Sequence, residues 1–118
     1  MTLADKLEIA KRWTEKVVDV LKDDVLEISL FGSVARRTDG EGSDIDLLIV
    51  VNGERKKALD VMFDKLGDAF LELVGKGVIV ENIVENVEEW KKMEREGFSF
   101  ARNVKDDRIV LYRSQNAT

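Results

Sequence analysis

The chain has no cysteine, no histidine and no proline. Lacking cysteine, it has no disulfides, no thiolate nucleophile and no sulfur ligands for zinc. Lacking histidine, it has no imidazole for acid–base work or for a Ser–His triad. Any catalysis falls to carboxylates, hydroxyls, Lys, Arg and a hard metal ion. No apolar run approaches the roughly 18 residues of a membrane span, and no signal-peptide pattern opens the chain, so a cytoplasmic setting away from the membrane is expected. The net charge of −5 supplies no global basic field, which argues against long nucleic acid being held by this chain alone. The missing proline, beside many Lys, Arg and Glu, fits the composition of heat-adapted proteins.

What is present is ordinary in amount and concentrated in place. At 118 residues, 44% apolar and 36% charged, the chain is expected to form a single domain, 1–118, around one core. Residues 2–22 read as an amphipathic helix, with Thr2 and Asp5 as a capping pair and Leu3, Leu7, Ala10, Val17 and Leu21 at three- and four-residue steps. A strand is expected from Val25 to Phe31, a break at Gly32-Ser33 and a short helix from Val34 to Arg37. Glycines and small polar residues mark 38–42 as a loop. Asp44 to Val51 is the most strand-like run. A long helix follows from Glu54 to Val74, with Leu59, Met62, Phe63, Leu66, Ala69, Phe70 and Leu73 on one stripe. Val78–Val84 reads as a strand, Val87–Glu96 as a helix and Arg108–Tyr112 as a last strand, leaving 114–118 as a tail. This order implies an α/β fold: a small mixed sheet with helices packed on one side.

The chemistry concentrates in two stretches, Leu30-Phe31-Gly32-Ser33-Val34-Ala35-Arg36-Arg37 and Ser43-Asp44-Ile45-Asp46-Leu47. Strand side chains alternate, so Asp44 and Asp46 share a face while Ile45 and Leu47 share the other. Two carboxylates on one strand face repel unless something positive lies between them, and a divalent cation suits oxygen donors. Upstream, Gly32-Ser33 offers what a phosphate requires: a turn without a Cβ in the way, a hydroxyl and backbone N–H groups at a helix start.

The pattern Gly32-Ser33, ten residues, then Asp44-x-Asp46 resembles the signature of the DNA polymerase beta-like nucleotidyltransferase superfamily. The fuller strings resemble its smallest branch, the minimal nucleotidyltransferases. The resemblance implies that Gly32 and Ser33 hold the triphosphate of an incoming nucleotide, most plausibly ATP. It implies that Asp44 and Asp46 ligate two Mg²⁺ ions about 4 Å apart, one with the triphosphate and one at the acceptor oxygen. A third carboxylate on a neighbouring strand completes the acceptor-side metal in that family. Here Glu81 and Glu85 are the candidates; they lie about 13 Å apart along an extended strand, so only one reaches the metals. Glu81 is the expected one, although the family usually has aspartate there.

Arg36 is open to two roles, a phosphate contact or an ion pair with a nearby carboxylate. Arg37 stands where the branch usually has glycine, and either ends the short helix in solvent or reaches phosphate. Trp13 and Trp90 read as core or partner-facing residues rather than base platforms, and Lys91, Lys92 and Arg95 as a solvated face. Transfer of AMP from ATP to an acceptor hydroxyl is the expected activity. So short a chain has no spare domain for a large acceptor. In the resembling branch the partner is often an all-helical HEPN-type protein, paired as toxin and antitoxin; association with a copy of itself is left open. The alternatives are a nucleotide-binding module that acts by contact alone and a structural subunit without nucleotide.

Overall fold

The computed structural model describes residues 1–38 and 44–115, so most of the loop read over 38–42, together with Ser43 and the end of the tail, lies outside the described residues. The first helix, α1 (Leu3–Leu21), begins where the sequence says it should. The Thr2 hydroxyl accepts the Asp5 N–H at 3.1 Å, and the Asp5 carboxylate accepts the Thr2 N–H at 2.9 Å. That reciprocal cap satisfies two of the donors a helix start leaves unpaired. There follow β1 (Val25–Phe31), α2 (Gly32–Arg36), β2 (Ile45–Val51) and α3 (Arg55–Gly75). The chain then forms β3 (Val80–Asn86), α4 (Val87–Arg95), α5 (Ser99–Asp107) and β4 (Ile109–Arg113).

The four strands form one mixed sheet in the order β3-β2-β1-β4. β1 runs antiparallel to β2 and β4, whereas β2 and β3 are parallel, with α3 as the crossover between them. β2 has a neighbour on each side, and its apolar run is buried on both faces. Ile45, Leu47, Ile49 and Val51 join Trp13, Val17, Met62 and Leu66 in the larger core under α1 and α3. Leu48 and Val50 join Trp90, Ala101 and Val104 on the opposite face. Each such aliphatic side chain removed from water contributes roughly 1.5–3 kcal/mol, so β2 is the strongest single anchor of the fold.

The second face corrects the expectation of helices on one side only: α4 and α5 form a smaller layer there. The sequence reading assigns no element to 97–107. The reason is visible in α5, where only Ala101 and Val104 are buried and the remainder is mostly polar. β3 starts two residues later than expected and runs to Asn86, whose side-chain oxygen accepts the N–H of Glu88 at 2.8 Å and so caps α4. Both tryptophans are core residues. Trp13 donates its indole N–H to Asn82 Oδ1 at 2.8 Å and meets Phe70 edge-on, and Trp90 meets Phe100 the same way. Lys91, Lys92 and Arg95 are exposed. Among the described residues no helix is long and apolar enough to cross a membrane.

Candidate active site

The two chemical stretches meet at one end of the sheet, where β1 ends and β2 and β3 begin. Asp46, the second residue of β2, has Phe31 as its register partner on β1 and Glu81 as its partner on β3. Alternation puts Asp46 on the same face as Leu48 and Val50, and it remains half-buried there. Glu81 therefore stands beside it on the same face, whereas Glu85 pairs with Val50, four residues along the strand. Sheet register, not composition, separates the two glutamates.

Gly32 follows directly on Phe31 and turns the chain over Asp46. Its φ is +77°, in the left-handed region, and a Cβ built there would overlap the Asp46 Oδ2 oxygen. Both the backbone angle and the close approach thus demand glycine. Ser33 opens α2 beside it, half-buried, and its hydroxyl has no hydrogen-bond partner among the described residues. The result is a narrow seat in which the glycine turn abuts the Asp46 carboxylate, with Ser33 next along the chain.

The electrostatics of the seat are strained. The Asp46 carboxyl is pushed up from the ordinary 3.8 to about 6, by burial first, then by its hydrogen bond to the Glu81 carboxyl and the charges of Glu81 and Asp44; Arg36 pulls the other way. Among the described residues no three carboxylates converge closely enough to hold an ion as they stand. The donor set itself fits a hard divalent cation: oxygen only, acidic, and relieved of mutual repulsion by positive charge.

Of the two roles open to Arg36, the ion pair is the one formed. Its guanidinium donates to the Asp107 carboxylate at 2.6 Å, joining α2 to the end of α5. Asp107 had no signal in the sequence, because it lies 71 residues away on the helix that pattern reading passes over. Arg37 ends α2 in the left-handed conformation, φ 61° and ψ 32°, with its side chain exposed. That is the conformation a glycine adopts without cost, so Arg37→Gly is expected to stabilise the protein by about 1 kcal/mol. Thermal melting should show a rise of roughly 4 °C; an unchanged or lower midpoint would mean that the arginine side chain holds the turn.

A strand–glycine turn–helix–strand unit with paired acids at the strand head defines a class of phosphotransferring domain, and sequence comparison identifies it. The chain belongs to the nucleotidyltransferase domain family, whose profile matches residues 11–111. A relative in Methanocaldococcus jannaschii, named "Putative protein adenylyltransferase MJ0604", is 42% identical over 89 residues, spanning 75% of this chain and 79% of that protein. Among solved structures, one described as a putative nucleotidyltransferase from Sulfolobus solfataricus superposes with a TM-score of 0.53 at 21% identity, covering 98% of this chain and 86% of that one. A toxin–antitoxin structure with AMP-PNP also superposes with a TM-score of 0.53, at 17% identity, covering 89% of this chain and 74% of its own. At those identities the two structures speak for the fold alone. By family, the chain is a nucleotidyltransferase with the minimal nucleotidyltransferase fold.

Proposed function

We propose that the chain, acting as one domain over 1–118, transfers AMP from ATP to a hydroxyl group on a partner protein in a Mg²⁺-dependent reaction. The observation that carries this reading is the seat itself: the Gly32 turn lies so close over Asp46 that no Cβ fits between them, with Glu81 in register alongside. Phosphate cradle and acid cluster are one constellation rather than two features. The name of the Methanocaldococcus jannaschii relative supports a protein acceptor. The toxin–antitoxin neighbour with AMP-PNP is in keeping with an adenine nucleotide and an antitoxin role; the HEPN-type helical toxin opposite it and the cytoplasmic setting are carried over from the resemblance of the Gly32–Asp46 motif alone.

In this reading Gly32 and Ser33 hold the triphosphate through backbone N–H groups and the free hydroxyl. Arg36, a half-exposed side chain on the same short helix, faces the phosphates once it leaves Asp107. Asp44, Asp46 and Glu81 are the residues that would hold Mg²⁺. Bound there, divalent ions supply positive charge to the attacking and leaving oxygens of an in-line displacement. The acceptor oxygen bonds to the α-phosphorus, the bond to the β-phosphate oxygen breaks, and pyrophosphate leaves. The acceptor's proton goes to the Asp46 carboxylate, which binds a proton more tightly than an ordinary aspartate.

Glu81→Gln is expected to lower turnover at least a hundredfold, about 3 kcal/mol, with much less effect on triphosphate affinity. Glu85→Gln should leave both unchanged. Single-turnover transfer of label from ATP, alongside calorimetric binding of a non-hydrolysable ATP analogue, separates the two quantities; the opposite pattern in the two variants would reassign the third carboxylate. A second reading, a nucleotide-binding antitoxin that acts by contact alone, draws on the longer side chain of Glu81 and on the lack of three converging carboxylates among the described residues. It requires nucleotide binding with no transfer in the presence of the partner.

A further inference from the structure

Among the described residues eight large apolar side chains are exposed; Met1, Phe98, Ile109 and Val110 are scattered, and the other four gather on one side. Phe63 is 85% exposed, Leu71 64%, Ile79 46% and Val74 42%, and all four lie on α3 or just before β3. Phe63 and Leu71 line a groove of about 960 Å³ whose floor is Leu66, Phe70 and Val80. Large apolar side chains gathered in this way on an otherwise charged surface mark a contact site rather than chance exposure.

Gly67 adds an independent sign. It sits in the middle of a 21-residue helix, four residues from Phe63 and four from Leu71, and a Cβ built on it meets nothing within 4 Å. Among the described residues nothing calls for glycine there, although a glycine in a helix interior is unfavourable relative to alanine. Its effect is external: it leaves a flat place in the groove, between two large side chains, where another backbone can come close.

The rim selects the partner. Asp44, Asp60, Asp68 and Glu81 line the groove, and among the described residues no Lys or Arg does and only Asp60 has a cation at hand, Lys56 at 2.8 Å. A second copy of this chain would bring the same carboxylates against these, and an anionic membrane or nucleic acid would be repelled. An amphipathic helix with apolar anchors at three- and four-residue steps and Lys or Arg along its flanks fits both floor and rim. The groove also runs up to Asp44 and Glu81, on the β3 side of Asp46 and away from the Gly32–Ser33 turn.

We propose that the α3–β3 groove docks a basic amphipathic helix of a partner protein and so brings the acceptor hydroxyl to the acid cluster. Delivery of the acceptor rests on the transferase reading above; docking of the helix does not.

The test is selection of a displayed library of helical peptides on the full chain, followed by anisotropy measurements on the enriched pool. The expected pool is rich in Lys or Arg beside Leu or Phe. It should bind at least tenfold more weakly to Phe63→Ser/Leu71→Ser, and to Gly67→Leu, whose Cβ enters open space at the flat place. Its affinity should also fall with added salt. No enrichment, an acidic or uncharged pool, or binding indifferent to these variants would overturn the proposal. So would self-association of the wild type, seen by sedimentation and lost in Phe63→Ser. ATP-analogue binding, measured on the same proteins, keeps the two readings apart. Peptide docking without nucleotide binding removes the transferase reading and leaves the groove; nucleotide binding without peptide selection does the reverse.

Discussion

Asp46→Asn is expected to lower nucleotidyl transfer a thousandfold or more, about 4 kcal/mol of lost transition-state stabilisation, while the protein stays folded. Asparagine keeps the shape of the side chain, and its amide can still donate to Glu81, so the sheet end is preserved. What it removes is the charge on which the proposed cation binding depends. Transfer at the wild-type rate in this variant would remove the carboxylate cluster from the mechanism.

The same substitution carries a second, oppositely signed effect on stability. The folded-state value for Asp46, about 6, lies above the ordinary 3.8, so the folded chain holds this proton more tightly than the unfolded one. The associated stabilisation is fully present below pH 3.8 and is lost as the pH rises through 6. Converted in full, that shift would be worth about 3 kcal/mol, but Asp46 is only half-buried and water screens it, which leaves about 1 kcal/mol. In the absence of divalent cations, Asp46→Asn should therefore stabilise the protein near pH 7.5 and have no such advantage near pH 3.5. Chemical denaturation at the two pH values measures the difference. An equal effect at both would mean that Asp46 does not bind its proton unusually tightly.

Gly32→Ala is the second large effect expected. The methyl group would have to occupy the space of the Asp46 carboxylate oxygen, in a backbone conformation that costs an L-residue roughly 1–2 kcal/mol. Either Asp46 swings away or α2 lifts off β2, and in both cases the proposed seat for the triphosphate is lost. Thermal melting should fall by roughly 4–10 °C, with metal-dependent binding of an ATP analogue abolished. Gly67→Ala is the control, since its Cβ enters open space in a helix interior; it should raise stability by about 0.5–1 kcal/mol. If both alanines behave alike, close approach at Gly32 is not what requires glycine there.

The elements most legible in the sequence were those whose signal is local. Thr2 and Asp5 mark the start of α1 because a capping box closes within four residues. The Asn52-Gly53 break ends β2 in the way a turn must. The spacing of Gly32-Ser33 to Asp44 and Asp46 was legible because glycine turn and alternating acids are each backbone-scale features. α5 was not, because two buried residues, Ala101 and Val104, are too few to impose a helical period on nine. The second helical layer went unseen for the same reason, since a strand buried on both faces, like β2, does not say which helices cover it.

The residues alone determined the kind of chemistry open to this protein: with no histidine or cysteine, only carboxylates, hydroxyls and cations remain, and they cluster at Gly32–Asp46. Local sequence also determined that Asp44 and Asp46 stand one residue apart at the head of β2, although the strand itself begins at Ile45, so alternation places Asp46 and not Asp44. Tertiary structure decided what lies across from them. Glu81 rather than Glu85 stands beside Asp46 because the parallel β2–β3 register aligns it there, and a shift along β3 would align another residue instead. Asp107 meets Arg36 only because α5 folds back over the sheet, bringing together groups 71 residues apart. Register and long-range packing are sums over many weak contacts along whole elements, and no short stretch of sequence contains them.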